Sequence, residues 1–525
     1  MTSGMKKLLF ITGLFISGTS SSWAQTITFS NLESNQVKTV NNFISQADRK
    51  VLYELNSPKD LSLPSNSKDV SVRTYKKIKL EELENLLVNN NPTIKIYLEK
   101  IDQAKSNLRN SLSLWYPTLN LTANGIPQYF ESNNYYDSNA IADTSSKQWS
   151  SSISGQIQWD LINPARIPEI ASARDSFEKA KYSYSIIMKD LKLEAKKRYY
   201  NLQKANEEIA VANSSIEAST FGLRDAEIKL ESGLGTKLEV LEAKTQLARD
   251  KQLLNTKLGD QKIGQRALAE ILNLPEDVTP LIGSQTKLMG IWNATLEESI
   301  IGAYSKSEEL NNILLDISIS NNDANSALAA GQPKISIVNT LTSRFNKGEL
   351  NKISPNTNIE SSSISNTIGL NASWYIFDGG KSQSLYKFNK SKSKEARLSF
   401  AKKRAQIRKD VEEIFFKLES AKLNISASYS EVLSSRESLR LATLRYKSGI
   451  ATQREVVNNQ RDLTDSKVRY IVSVTNYNIL LADLSRQTGL DKIKPCDIKV
   501  IEKNIPNLEN VKSLSESNLI PLCQL

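Results

Sequence analysis

Residues 152–161 read Ser-Ile-Ser-Gly-Gln-Ile-Gln-Trp-Asp-Leu, with Ile153, Gly155, Ile157, Trp159 and Leu161 alternating against Ser152, Ser154, Gln156, Gln158 and Asp160. A period of two over that length predicts a strand with one apolar and one polar face. The pattern returns in the second half of the chain, where Ile368, Leu370, Ala372, Trp374 and Ile376 alternate with Thr367, Gly369, Asn371, Ser373 and Tyr375. Partner strands are expected near Thr118–Ala123 and Lys334–Arg344. Each half thus holds one hairpin, over about 116–162 and about 333–378. The polar stretches 125–147 and 345–363 are expected to be long solvent loops connecting the strands.

The recurrence extends beyond the strands. Ser232-Gly233-Leu234-Gly235-Thr236 returns as Ser448-Gly449-Ile450-Ala451-Thr452, an offset of 216. Leu80-Glu81-Glu82, Pro117 and Tyr199-Tyr200 return at the same offset as Leu296-Glu297-Glu298, Pro333 and Phe415-Phe416. Asp160 matches Asp378 at 218, so the second copy carries two extra residues before that point. The chain is read as two tandem repeats, 78–280 and 294–492, flanked by an unassigned extension at 25–77 and a tail at 493–525.

After each hairpin the hydrophobic spacing changes to a 3/4 pattern. The first seam runs Ile170, Ala173, Phe177, Ala180, Tyr184, Ile187 and Leu191, shifts through Ala195 and Tyr199, and continues from Leu202 to Leu230. The second runs from Ile407 through Val411, Leu418, Ile425 and Val432 to Tyr446. Such seams predict helices packed as coiled coils, with a stutter that locally relaxes the supercoil. The expected elements are a helix at the start of each half, long helices over 166–232 and 381–448, and shorter returning helices over 237–273 and 453–488. A helix of that longer kind spans roughly 100 Å at about 1.5 Å per residue.

Composition narrows the chemistry. The 525 residues include 20 glycines and 14 prolines, too few to punctuate many short strands, and 39% hydrophobic residues, too many for a disordered chain. Histidine is absent, which removes imidazole triads, histidine-ligated zinc and HExxH chemistry. No paired acid and base, metal cluster or nucleophile constellation is found, and no cofactor is expected. Gly380-Lys381-Ser382 fails as a phosphate loop because Tyr375 stands where the first glycine belongs.

The net charge is +11. Its clusters at 192–198 and 390–409 lie on the long helices and are expected to be solvated faces. No groove-reading motif accompanies them, so nucleic acid is not an expected partner.

Lys6 and Lys7, the apolar stretch from Leu8 to Ile16 and the Ser22-Trp23-Ala24 ending predict a secretory signal peptide over residues 1–24. Beyond it no run of ~20 apolar residues exists for a transmembrane helix. Cys496 and Cys523 are the only cysteines, and an oxidising compartment would permit a bond between them.

The four strands have the length and dyad pattern of a membrane-spanning barrel. Four strands cannot close, and hydrocarbon does not tolerate open sheet edges. Three copies would supply about twelve strands, and about twelve helical columns that must enclose a lumen. Trp115, Trp159 and Trp374 near the strand ends fit an interfacial belt. A soluble periplasmic coiled-coil scaffold or adaptor is the alternative that these patterns leave open.

The order helix, hairpin, long helix, short helix, taken twice, resembles the TolC-like outer-membrane efflux proteins. The strand exit Trp159-Asp160-Leu161 with Asn163-Pro164-Ala165-Arg166, its counterpart Phe377-Asp378-Gly379-Gly380, and the two Ser-Gly-x-x-Thr turns carry the resemblance. It covers about four fifths of the chain. It implies a mainly α fold with a β membrane part: a homotrimer whose α-helical barrel stands in the periplasm and whose shared transmembrane β-barrel lies in outer-membrane lipid. It further implies an efflux or type I secretion role beside a periplasmic adaptor and an inner-membrane pump or ABC transporter.

By the same resemblance, Gly233, Leu234, Gly235, Gly449, Ile450 and Ala451 are candidate adaptor-docking tips. Plain helix termination, with glycine just past each helix end, explains the same residues. Glu239, Glu242, Glu455, Asn458, Tyr446 and Arg445 are candidates for the periplasmic gate. Asn458 departs from the family's acidic pattern. Thr236-x-x-Glu239 and Thr452-x-x-Glu455 both also fit capping boxes, a role that can coexist with gating.

Overall fold

The structure, a computed structural model, describes residues 71, 74–135, 137, 144–283, 286–350 and 358–495. The expectations for residues 1–24, for most of 25–77 and for Cys496 and Cys523 fall outside the described residues.

The first repeat opens on a short strand, β1 (Thr74–Lys77), and helices α1 (Leu80–Asn90) and α2 (Pro92–Leu112). The apolar spacing over 78–113 runs through both helices, but the backbone breaks at Asn91. Its side chain caps α2 by accepting from the amides of Thr93 and Ile94, and Pro92 supplies the first helical residue, where a missing N–H is harmless. Asn91 also donates to the Ile271 carbonyl at 2.7 Å, fixing the break against a distant helix end.

Next come strands β2 (Thr118–Asn134) and β3 (Thr144–Ile162), then α3 (Arg166–Glu231) and α4 (Lys237–Ile271). Short strands β4 (Val278–Leu281) and β5 (Ile291–Trp292) lead to the second repeat. It comprises α5 (Leu296–Ser305), α6 (Glu308–Ala329), β6 (Lys334–Leu350), β7 (Asn358–Ser373), α7 (Lys381–Lys447) and α8 (Gln453–Thr488), and is followed by β8 (Ile493–Lys494).

Both hairpins reach farther than expected. The stretches 125–147 and 345–363, read as long loops, are largely strand: β2 and β3 pair out to Asn134 and Thr144, and β6 and β7 out to Glu349 and Asn358. Serine, asparagine and lysine there mask the strand signal because neither face is apolar, while the backbone ladder continues regardless. At the opposite end β7 stops at Ser373, so Trp374 and Ile376, expected to continue the alternation, lie beyond it.

The two hairpins join through β3 and β6 into one antiparallel sheet of order β2-β3-β6-β7. The outer edges of β2 and β7 meet no strand among the described residues. Two smaller pairings were not read from the sequence. β1 lies parallel to β4, and β5 antiparallel to β8, so the first ties the residues before the first repeat to that repeat's end, and the second ties the segment between the repeats to the residues after the second.

Helices α3 and α7, of 66 and 67 residues, each run back alongside their shorter partners α4 and α8. The seams account for most of their buried faces: Ala195, Tyr199, Leu202, Ala212 and Ala226 on α3, and Ile407, Val411, Ile425, Val432 and Tyr446 on α7. Small residues on α3 allow close approach of α4 on one side and α8 on the other. Each repeat keeps its own apolar core. One gathers Leu83, Leu87, Tyr199, Leu202 and Leu268, the other Val411, Ile425, Val474, Leu481 and Leu484, and Met289 packs against both.

Ion pairs also tie the helices laterally. Arg486 of α8 reaches Glu309 of α6 at 2.8 Å and Asp190 of α3 at 2.5 Å, and Lys403 of α7 reaches Glu309 at 2.8 Å. The first basic cluster is no solvated face. Lys192 and Lys196 both meet Glu84, Lys197 meets Asp483, and Arg198 meets Glu270, so these charges bind α3 to α1, α8 and α4. No helix among the described residues is long and apolar enough to cross a membrane.

Candidate functional site

Two regions of the fold present chemistry that its cores do not absorb: the faces of the sheet and the paired helical turns far from it.

On the sheet, residues in register share a face. Leu119, Ile157 and Ile368 lie in one row with Asn339, and Leu121, Gly155 and Leu341 in the next with Asn366. These side chains are open: Leu119 is 76% exposed, Leu121 73% and Ile368 71%. A water-facing sheet would not show such a patch on a stable monomer. The reverse face carries Asn120, Gln156, Thr340 and Thr367 in one row and Thr122, Ser154, Thr342 and Ser365 in the next. It is hydroxyl- and amide-lined. Asp160 and Lys334 pair at 2.7 Å near its inner end, and Arg344 stands in the row of Asn124, Ser152 and Ser363.

Two of the three tryptophans expected as a belt, Trp159 and Trp374, are anchored through their indole N–H groups. Trp159 donates to the Trp115 carbonyl at 3.1 Å and Trp374 to the Gly331 carbonyl at 3.0 Å. The Arg166 guanidinium lies 4.3 Å above the Trp115 ring.

The turns end α3 and α7 in the same way. Gly233 and Gly449 take positive φ of 74° and 75°, the left-handed conformation that glycine adopts without strain. Around them Leu234 and Gly235 donate to the Lys229 carbonyl, and Ile450 and Ala451 to the Arg445 carbonyl, satisfying helix-end acceptors. A Cβ at Gly235 would sit 3.0 Å from the Leu230 nitrogen. Ala451 carries that methyl, and its bond to the Arg445 carbonyl is 3.3 Å against 2.9 Å for Gly235. Leu234 and Ile450 point outward, 83% and 72% exposed, with Leu238 and Leu444 also open.

The six residues read as gate candidates all lie within this tip region, but in different roles. Thr236 and Glu239 form a full capping box: the Thr236 hydroxyl accepts from the Glu239 amide at 3.3 Å, and Glu239 accepts from the Thr236 amide at 2.9 Å. The matching box at Thr452 is not formed, because no side-chain cap bond exists there. Glu455 turns instead to Arg445, whose guanidinium lies 3.1 Å away. Glu242 accepts two bonds from Arg454, at 2.8 and 2.5 Å, linking α4 of the first repeat to α8 of the second. Asn458 is exposed.

Tyr446 is buried, and burial, with the carboxylates of Glu239 and Asp225 nearby, pushes its hydroxyl up to about 12. Lys229 crosses from the first repeat to cover its ring at 3.4 Å and donates to its backbone carbonyl at 3.1 Å.

Lys229 and Arg454 were not read as site residues. The repeat offset could have flagged both, since Lys229 is the counterpart of Arg445, and Arg454 stands where the first repeat has Leu238.

The family model described as Outer membrane efflux protein matches residues 83–274 and 303–490, well over half of the chain. No curated protein matches the sequence. Among solved structures, a membrane protein from Pseudomonas aeruginosa aligns at 19% identity with a TM-score of 0.65, covering 78% of this chain and 93% of that one. The CmeC outer membrane channel of Campylobacter jejuni aligns at 14% and 0.64, covering 78% and 85% of the two chains. The outer membrane protein VceC of Vibrio cholerae aligns at 14% and 0.64, covering 78% and 96%. At these identities the likeness is one of fold. Joined to the family match, the twice-repeated order of elements leads to one conclusion: the chain belongs to the outer membrane efflux protein family, a protein of the outer membrane with a role in efflux, and not an enzyme.

Proposed function

We propose that the chain is one third of a trimeric exit duct for an efflux or type I secretion complex. The observation that carries this reading is the sheet: one face apolar and open, the other polar, and both edges unpaired among the described residues. Hydrocarbon excludes such edges, so closure requires further copies, and three would give a barrel of about twelve strands. The polar face then lines the lumen and the apolar face meets lipid. A secretory signal peptide, expected over residues 1–24, fits the export such a location requires.

The long helices continue the duct into the periplasm, and their turns form its far end. Leu234 and Ile450, held outward by Gly233, Gly235, Gly449 and Ala451, are suited to dock a periplasmic adaptor, which would connect the duct to an inner-membrane pump or ABC transporter. Glu242, Arg454, Arg445, Glu455, Tyr446 and Asn458 are assigned to the gate, with Glu239 serving both as helix cap and as a wall of the opening. The cross-repeat pair of Glu242 and Arg454, with Arg445 and Glu455 paired across the second turn, supports a closed state held by ion pairs.

Reconstitution into planar bilayers tests the reading. A detergent-extracted trimer that conducts is expected. Release of the mature chain by osmotic shock as a soluble species would defeat it in favour of a periplasmic scaffold. Loss of adaptor co-purification in a Leu234→Glu, Ile450→Glu variant that still conducts is expected if the turns dock the adaptor.

A further inference from the structure

The register of the sheet locates the edge of the lipid. This inference rests on the channel reading above and goes beyond it. Trp149 and Tyr129 are register partners on the face that also carries Ile153 and Ile157, and their rings lie 5.2 Å apart. Both are about half exposed, Trp149 at 51% and Tyr129 at 49%. Trp159 stands on the same face at the other end of β3. About ten residues separate the two tryptophans, or ~34 Å along a strand at ~3.4 Å per residue. A strand tilt of ~40° reduces that to a height of ~26 Å, close to the ~25 Å apolar band of outer-membrane barrels. Between them the outward face of β3 carries Ser151, Ile153, Gly155 and Ile157, with no charge.

Charge begins at the Trp149 row. Lys347 is in register with Trp149 and pairs with Glu360 at 3.7 Å. One row farther out, Lys147 pairs with Glu131 at 3.2 Å and lies in register with Glu349. Tryptophan and tyrosine favour the boundary between hydrocarbon and water, while a charge in mid-bilayer is strongly disfavoured. We infer that the acyl chains of the outer leaflet end at the Tyr129–Trp149 row, and that the row of Lys147, paired with Glu131, lies at the depth of the lipid headgroups. The strand ends beyond that row stand outside the hydrocarbon.

Depth-dependent quenching tests the boundary in the full-length trimer. Single cysteines at Ile153, Ile157, Lys147 and Gln156, in a Cys496→Ser, Cys523→Ser background, are labelled with an environment-sensitive fluorophore. The trimer is then placed in phosphatidylcholine vesicles doped with nitroxide lipids. Labels in Ile153→Cys and Ile157→Cys are expected to be quenched several-fold more by acyl-chain nitroxide than by headgroup nitroxide. The Lys147→Cys label should show the reverse preference, and the Gln156→Cys label, on the other face, should respond only to aqueous iodide. Ser145→Cys, one row farther out, keeps the boundary readable if Lys147→Cys fails to assemble.

Acyl-chain quenching at 147 or 145 equal to that at 157 overturns the assigned edge. So does quenching at 147 by neither nitroxide while 153 and 157 remain lipid-quenched. If 153 and 157 escape both nitroxides, the channel reading itself fails, an outcome distinct from a misplaced edge.

Discussion

The guanidinium of Arg445 lies 3.1 Å from the carboxylate of Glu455, across the second turn, where the first repeat has Lys229 and Glu239 at the same two positions and no such pair. One repeat uses its third helical residue as a cap and sends its basic residue across to Tyr446. The other leaves the cap unmade and closes the turn on itself.

That difference predicts unequal responses to the same substitution. Thr236→Ala removes a hydroxyl that accepts from the Glu239 amide and is expected to destabilise α4 by about 1 kcal/mol, the usual magnitude for loss of an N-cap. Thr452→Ala removes no such bond and should change stability by a few tenths at most. Amide hydrogen exchange over the first turns of α4 and α8 reads both. Equal loss of protection would refute the asymmetry.

The pair of Glu242 and Arg454 joins the two repeats, so its loss should act on opening more than on folding. Arg454 is 67% exposed at its side chain, and a surface pair of this kind is worth under about 1 kcal/mol. Arg454→Ala is therefore expected to leave the melting temperature within a few degrees of the parent while raising channel open probability in planar bilayers. A double variant with Arg445→Ala should raise it further, because the second pair restrains the same tip. Unchanged conductance in both would remove these residues from the gate.

Much of the architecture was legible because its two hydrophobic periods are unmixed. Ile153, Ile157 and Trp159 alternate without interruption, and the α7 seam from Ile407 to Tyr446 keeps its 3/4 spacing throughout. Where a segment has no apolar face the signal vanished, which is why Ser132, Lys147 and Lys347 read as loop and fold as strand. The strands β1, β4, β5 and β8 are two to four residues long and exist only because partners some 200 residues away meet them. The tip was only half legible. Thr452 and Glu455 have the spacing of a capping box, but Arg445 competes for the carboxylate, and that competitor is visible only once the turn is folded.

The contact of Glu309 with Lys403 and Arg486 predicts an acid-sensitive joint. Burial raises the Glu309 carboxyl, but hydrogen bonds from Lys403 and Arg486 more than offset it and hold the group below its ordinary value of 4.5. A carboxyl depressed in the folded state contributes stability that is fully present above pH 4.5 and is lost as pH falls through its lower folded value. Denaturant unfolding midpoints should therefore decline below that pH. Glu309→Gln should flatten the decline and lower stability at neutral pH by about 1–3 kcal/mol, since charge-assisted bonds are replaced by weaker ones. A parent-like acid slope in the variant would place the sensitivity elsewhere.

Arg344 offers a last test, of the lumen assignment. In the proposed barrel it projects from the polar face among Asn124, Ser152 and Ser363, whereas Lys334 on that face is neutralised by Asp160. Three copies would place three guanidinium groups at one level, and fixed positive charge in a pore favours anions. In a potassium chloride gradient the parent channel should show a reversal potential displaced toward chloride relative to Arg344→Ser, with the displacement shrinking as salt rises above ~0.1 M and screening shortens the field. Placed instead on the lipid face, a charge at that depth would disfavour insertion by roughly 2–4 kcal/mol, and its removal would raise the yield of folded trimer without moving the reversal potential. The two results are opposite in kind, so a single pair of recordings and a yield comparison decide which face of the sheet encloses the solution.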